Sequence, residues 1–175
     1  PNFAFTGYVY GGRKMSMGTF IHETAGHAFG LLGDEYSTSG FDPGQPFEIP
    51  DYEATRLRNE QKKGWYLNLS LTSDPKSVYW AHLIGHPRYP YVGVLQGGYY
   101  YAFGVWRSES YSLMDESADF YFNTICRELI VRRIMALTGE EYTFDKVLAK
   151  DNLSKSRSQQ TKDQERRHQP PIIGE

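Results

Sequence analysis

His22-Glu23-Thr24-Ala25-Gly26-His27 runs straight into Ala28-Phe29-Gly30-Leu31-Leu32-Gly33-Asp34-Glu35-Tyr36. The segment starts with a helical pattern. From Thr19, a candidate N-cap, the residues Phe20, Ile21, Ala25, Ala28 and Phe29 supply an apolar face, and Gly30 and Gly33 supply a stop. Two imidazoles on one helix with a carboxylate beside the first are the parts of the H-E-x-x-H zinc motif. In that motif the histidines at i and i+4 hold Zn²⁺ from one face, and the Glu serves as general base toward water. Here one extra residue separates the histidines. On a regular helix, positions i and i+5 point about 140° apart and cannot share an ion. A single-turn π-bulge would absorb the insertion, and Gly26 is the least costly place for it. The spacing therefore predicts a widened helix, His22 and His27 as ligands of one Zn²⁺ per chain, and Glu23 as the catalytic base.

Catalytic zinc normally takes three protein ligands and water. In the pattern H-E-x-x-H-x-x-G-x-x-H, a glycine three residues after the second His turns the chain, and the third ligand follows three later. Gly30 sits at the turning position, but the next slot is Gly33, which has no side chain. An acidic ligand displaced by one residue is expected, Asp34 first and Glu35 as the alternative. Ser112-Leu113-Met114-Asp115 lies between an aromatic segment and a second helical pattern. Metzincin-type enzymes place a methionine turn below the metal at such a point.

The stretch from His22 to Tyr36 resembles the IgA peptidase family of zinc metallopeptidases. Members carry a GH-x-F-x-x-L-x-DEY segment, matched here from Gly26 to Tyr36. Gly104-Val105-Trp106-Arg107 followed by Ser112-Leu113-Met114 is similar to the family's run into its methionine turn. Phe122-Asn123, Arg127-Glu128-Leu129-Ile130 and Thr138-Gly139-Glu140 look like the helix that follows in the Bacteroides-type secreted members. The resemblance spans residues 15 to 150. It implies a metzincin-like zincin catalytic domain, endopeptidase activity on a protein or peptide substrate, one Zn²⁺, and a secreted or cell-surface bacterial protein. It assigns His22, His27 and Asp34 as ligands and Glu23 as the base. The H-E-x-x-G-H spacing is also similar to that of dipeptidyl peptidase III, but that family needs a second, Glu-rich motif and two lobes, neither of which this sequence suggests.

Working outward, 175 residues make about one domain. The expected class is α+β, a zincin-like domain over residues 1–150 with a polar tail over 151–175. Only 21 residues precede His22, so the expectation includes a catalytic domain whose N-terminal part is missing. Tyr8-Val9-Tyr10 before Gly11-Gly12 reads as a strand and turn, and an extended substrate is expected along Tyr8 to Met17. Residues 37–64 read as a loop with one short helix over Tyr52–Lys63. Trp65 to Trp106 reads as β-like, with Tyr91–Gln96 and Tyr99–Trp106 flanking a Gly97-Gly98 hairpin turn. From Asn123, the residues Ile125, Leu129, Ile130, Ile134 and Leu137 predict a helix with Gly139 as its stop and Arg127, Arg132 and Arg133 on its other face.

A formal charge of −2 leaves no bulk attraction for nucleic acid or an anionic membrane. The single cysteine, Cys126, excludes an intrachain disulfide and a Cys-rich zinc site, and reads as an inert buried thiol. No run is long and apolar enough for a membrane helix. Neither His82 and His86, spaced i, i+4 without an adjacent Glu, nor His168 is expected to bind metal. Tyr36 is expected to pack, and Tyr111 is a weak candidate for oxyanion stabilisation. Asn68-Leu69-Ser70 and Asn152-Leu153-Ser154 fit the glycosylation pattern, which arises often by chance. The rival function is an inactive zincin-fold surface module that binds peptide or glycan through Tyr99-Tyr100-Tyr101 and Trp106. An intact Glu23 argues against it.

Overall fold

The computed structural model describes residues 17–37, 47–115 and 120–151. The expected strand at Tyr8–Tyr10, the substrate edge before Met17, Asn152, His168 and the tail beyond Asp151 lie outside them. The fold is α+β, mixing helices with one small antiparallel sheet.

Helix α1 (Met17–Ile21) passes directly into a π-helix over His22–Phe29. Ile21 at the junction keeps helical dihedrals, so the winding changes without a break. Thr19 lies inside α1 and is not its N-cap. Gly30 caps the π-helix, and Leu31 then takes a left-handed φ of 56° that turns the chain back. Helix α2 (Asp51–Lys62) starts after Pro50, whose fixed φ and missing N–H suit a helix entry; acidic Asp51 and Glu53 fill its first turn and Lys62 its last. It buries Ala54 and Leu57.

Strand β1 (Leu69–Ser70), β2 (Leu95–Gly98) and β3 (Tyr101–Arg107) form the sheet in the order β1-β3-β2. Two sequence expectations are corrected here. First, Leu71–Val94 is not β structure. Asp74 organises a turn by accepting from the Ser77 and Val78 amides, a short 3₁₀ turn follows at Ala81–Leu83, and Pro87 and Pro90 withhold two of the donors a ladder would need. This irregular segment instead packs Val78, Trp80, Leu83, Tyr89, Tyr91 and Val92 as a layer against Leu32, Met114, Ile125 and Leu129. Second, the hairpin turns at Tyr99-Tyr100 and not at Gly97-Gly98. The two glycines end β2, where the register slips between Gln96 and Gly98.

Helix α3 (Thr124–Thr138) has the expected ends. Asn123 caps it by accepting from the Cys126 amide at 3.0 Å, and Gly139 closes it in the left-handed region. Its buried stripe is Ile125, Cys126, Glu128, Leu129 and Met135. Ile134 and Leu137, expected in the core, are 43% and 66% exposed, because the core layer reaches only the first half of the helix and Met135 alone continues inward. The three arginines are covered by aromatic rings rather than solvated: Arg127 by Tyr121, Arg132 by Tyr142 and Tyr79, and Arg133 by Phe29. A further short helix, α4 (Phe144–Lys150), starts at its cap Thr143 and was not expected.

Candidate metal centre

The π-helix brings the two histidines together. Its amides reach back five residues instead of four, as Gly30 N–H does to Ala25 at 2.9 Å, so positions 22 and 27 fall on one face. Their rings meet edge-on with centroids 4.7 Å apart. The distortion extends over eight residues, well beyond the single-turn bulge the spacing required.

The space for this arrangement comes from Gly26, for a reason other than the one expected. No positive φ is needed there. A Cβ on Gly26 would instead fall inside the Sδ of Met114 and lie 3.1 Å from its Cε. Met114 is fully buried beneath the π-helix, in a turn where Ser112 accepts from the Met114 and Asp115 amides. The sequence placed this methionine under the site, and the structure has it there.

Asp34 completes the group. His22 Nε2 and His27 Nε2 are 3.1 Å apart, and Asp34 Oδ1 is 3.1 Å from each of them. The far side of every one of these groups is fixed. His22 Nδ1 donates to the Leu113 carbonyl at 2.8 Å, His27 Nδ1 donates to the Leu32 carbonyl at 2.8 Å, and Asp34 Oδ2 accepts from the Tyr100 hydroxyl at 2.6 Å. A carbonyl only accepts, so each Nδ1 must carry its proton, and each neutral ring presents a bare lone pair at Nε2. Three electron-pair donors therefore converge on one point, an arrangement that a cation favours and that repels itself without one. Donor atoms about 2.0–2.1 Å from a tetrahedral ion stand about 3.3 Å apart, close to the spacing seen. Among the described residues, His22, His27 and Asp34 are the one group of this kind.

A proton at Nε2 competes with a cation for these lone pairs: burial lowers the pKa of both imidazoles, but hydrogen bonds to Asp34, which need that proton, outweigh it and hold both above the ordinary value. Burial opposes the Asp34 charge, yet the two histidines keep its carboxyl far below the usual range. Burial and the Asp34 carboxylate keep the Tyr100 phenol protonated as a donor.

Glu35, the alternative third ligand, points elsewhere. It is fully buried, accepting from Asn68 at 2.9 Å, Asn123 at 2.7 Å and the Cys126 thiol at 3.3 Å, and burial pushes its pKa up to about 7. Its amide donates to the Met114 carbonyl at 2.8 Å, tying the ligand loop to the methionine turn. Asn68 also grips both backbone groups of Gly33 and is fully buried, which removes it as a glycosylation acceptor. Cys126 is buried with its thiol pKa pushed up, an inert group as expected. Glu23 is half-buried on the π-helix, and its charge acts on His27 and Tyr36. Tyr111 is buried and stacks on Tyr121. His82 pairs with Glu128 at 2.8 Å and takes no part.

Tyr100 was missed as a site residue. It occupies the second position of a turn in which Tyr99 and Tyr100 both have positive φ, 53° and 72°. Such turns normally want Asn-Gly, and each strained residue costs about 1–3 kcal/mol. The Tyr99 amide donates to the Asp34 carbonyl and the Tyr100 amide to the Tyr36 carbonyl, so the loop that carries Asp34 holds the turn in place. A tyrosine where a glycine belongs was the available signal. No model of a known protein family matches this chain, and a search of curated proteins finds no relative.

Proposed function

We propose that this chain is a zinc-dependent endopeptidase with a zincin-like active site, acting on extracellular protein or peptide substrates. One observation carries the reading: three lone-pair donors meet within 3.1 Å of one another, each oriented by a hydrogen bond on its far side. Such outer partners are the usual support of a metal ligand set. His22, His27 and Asp34 would hold the ion, and two imidazoles with one carboxylate match a catalytic zinc that keeps an open position. A zinc ion supplies Lewis acidity toward a carbonyl oxygen and makes water a competent nucleophile near neutral pH.

The remaining chemistry belongs to the chain. Glu23 sits beside the first ligand on the same helix, and its carboxylate takes the proton of the attacking water and passes it to the leaving amine nitrogen. Asp34 stays ionised, so the ligand set carries one negative charge and the ion keeps a net positive one. The Leu113 and Leu32 carbonyls fix the ring tautomers.

Metal analysis of the purified chain with a chelator control tests the site. One zinc per chain is expected, and stoichiometric zinc in the His22→Ala/His27→Ala double variant would remove the assignment. Glu23→Gln is expected to keep the metal and lose peptide hydrolysis by a factor of about 10² or more. A wild-type chain that binds zinc but cleaves no member of a peptide library would instead support the inactive binding module.

A further inference from the structure

Residues 31–36 carry Asp34 but form no helix or strand, so their backbone groups must be satisfied from outside. The Leu31 carbonyl accepts from the Tyr66 amide at 2.8 Å, the Asp34 carbonyl accepts from the Tyr99 amide at 2.8 Å, and the Glu35 amide donates to Met114. At Gly33 both backbone groups go to one side chain. The Gly33 amide donates to Asn68 Oδ1 at 2.8 Å, and the Gly33 carbonyl accepts from Asn68 Nδ2 at 2.9 Å. Asn68 Nδ2 also donates to Glu35 Oε1 at 2.9 Å. Asn68 is fully buried, and its amide fits one way round only, because a flip would set its oxygen against two acceptors. Asn68 is itself anchored. Tyr66 takes a left-handed φ of 53°, the Leu69 amide closes a turn onto the Tyr66 carbonyl at 3.1 Å, and Gln61 Nε2 donates to the Leu69 carbonyl at 2.8 Å. A Cβ on Gly33 would fall 2.6 Å from Leu69 Cδ1 and 3.3 Å from Tyr66 Cβ. The slot that the H-E-x-x-H-x-x-G-x-x-H spacing reserves for a ligand is therefore closed to any side chain, and the carboxylate comes one residue later.

We propose that Asn68 is a positioning residue for the metal centre: by gripping Gly33 it holds the loop in the register that aims Asp34 at His22 and His27. This rests on the metal-site reading above. Glycine rotates more freely than any other residue, so Gly33 is the loosest joint beside Asp34. Asp34 meets the histidines while Glu35 meets Asn68, Asn123 and Cys126, so the two acids point apart, and a rotation at Gly33 would carry the Asp34 carboxylate off the histidines. The Asn68 amide removes that freedom before any ion arrives. Ligand groups held in place by a buried supporting side chain bind more tightly than the same groups on a loose loop.

The test uses the full chain, with zinc affinity read by competition with a chelating dye, folding by circular dichroism, and exchange of the Gly33 amide proton by NMR. In the metal-free wild type that proton is expected to exchange slowly, because Asn68 already holds it. Fast exchange that slows only when zinc is added would mean that the ion sets the loop, and would overturn the proposal. Asn68→Ala is expected to fold and to lose zinc affinity by about 10–100-fold. Asn68→Ser, whose single hydroxyl cannot bond both Gly33 groups as the amide does, is the milder variant should Asn68→Ala not fold, and it too should lose affinity. Glu35→Ala takes one partner from Asn68 but leaves the grip on Gly33, so it should keep wild-type affinity. Wild-type affinity in a folded Asn68 variant would reduce Asn68 to a stabilising residue. An equal loss in Glu35→Ala would mean that the whole buried cluster matters and the grip on Gly33 does not. A wild-type chain that takes up no zinc sinks the metal-site reading itself, whereas a wild type that binds zinc beside an Asn68 variant that binds it equally well sinks this proposal alone.

Discussion

At the scale of single residues, the histidines and Asp34 are held from behind by the Leu113 and Leu32 carbonyls and the Tyr100 hydroxyl. Tyr100 is the most direct of these to test, because its hydroxyl donates to Asp34 Oδ2 at 2.6 Å. Tyr100→Phe is expected to weaken zinc binding by about 10–100-fold, read by competition with a chelating dye, whereas Asp34→Ala should abolish stoichiometric binding. Glu35→Ala should leave His22, His27 and Asp34 in place and cost stability instead, since it removes the buried carboxylate that Asn68, Asn123 and Cys126 all donate to. Zinc retained by Asp34→Ala but lost from Glu35→Ala would reverse the ligand assignment. The meeting of both histidines with Asp34 was legible in the sequence, because ligand chemistry restricts residue type and helix geometry restricts spacing. Tyr100 was not, because it comes from a turn 66 residues away, and nothing local marks a tyrosine as a hydrogen-bond donor to a distant carboxylate.

At the scale of elements, the extra residue between the histidines implied a widened helix, and a π-helix over His22–Phe29 is what the chain forms. Its length was not legible, since spacing fixes only one turn. What sustains it is tertiary: the Met114 side chain fills the place of the missing Gly26 Cβ, and Leu113 binds the first ring. Gly26→Ala is therefore expected to destabilise the chain by about 1–3 kcal/mol, the usual cost of overpacking, measured by urea unfolding. Shortening Met114 should relieve it. In a double-mutant cycle, the cost of Gly26→Ala should be smaller in a Met114→Ala background, because residues in contact do not add independently. An additive cycle would mean that Gly26 is required for backbone conformation, as the sequence alone suggested. The hairpin failed as a sequence expectation for a related reason. Gly97-Gly98 is the better local turn, but the amides of Tyr99 and Tyr100 are needed by the Asp34 and Tyr36 carbonyls, and that tertiary demand overrides turn preference.

At the scale of the whole molecule, the chain from Asn123 to Asp151 buttresses the site without reaching it. Arg127 on α3 donates to Asp151 through Nε at 3.0 Å and Nη2 at 2.9 Å, and to the Phe122 carbonyl at 2.5 Å, while its guanidinium lies over Tyr121. Tyr89 adds its hydroxyl to Asp151 at 2.8 Å, and the Tyr121 carbonyl accepts from Leu113, whose own carbonyl holds His22. Asp151, the first residue of the expected polar tail, ties the end of α4 to α3 and to Tyr89. Breaking a partly buried pair of this kind should cost about 2–3 kcal/mol, below the range for fully buried pairs. Burial opposes the Asp151 charge, but the hydrogen bonds from Arg127 prevail and lower its pKa from the usual value. Between that lowered value and the unfolded one, about 3.9, the unfolded chain binds more protons, so this contribution grows with pH and is lost in acid. Urea unfolding of the metal-free chain, with chelator present to remove the ion's own pH dependence, should show Asp151→Asn weaker than wild type at pH 6. That difference should shrink as pH falls below about 4. A difference that stayed constant down to pH 2 would mean that Asp151 acts through packing and not through its charge, and the pair with Arg127 would then be incidental to how the C-terminal helix is held.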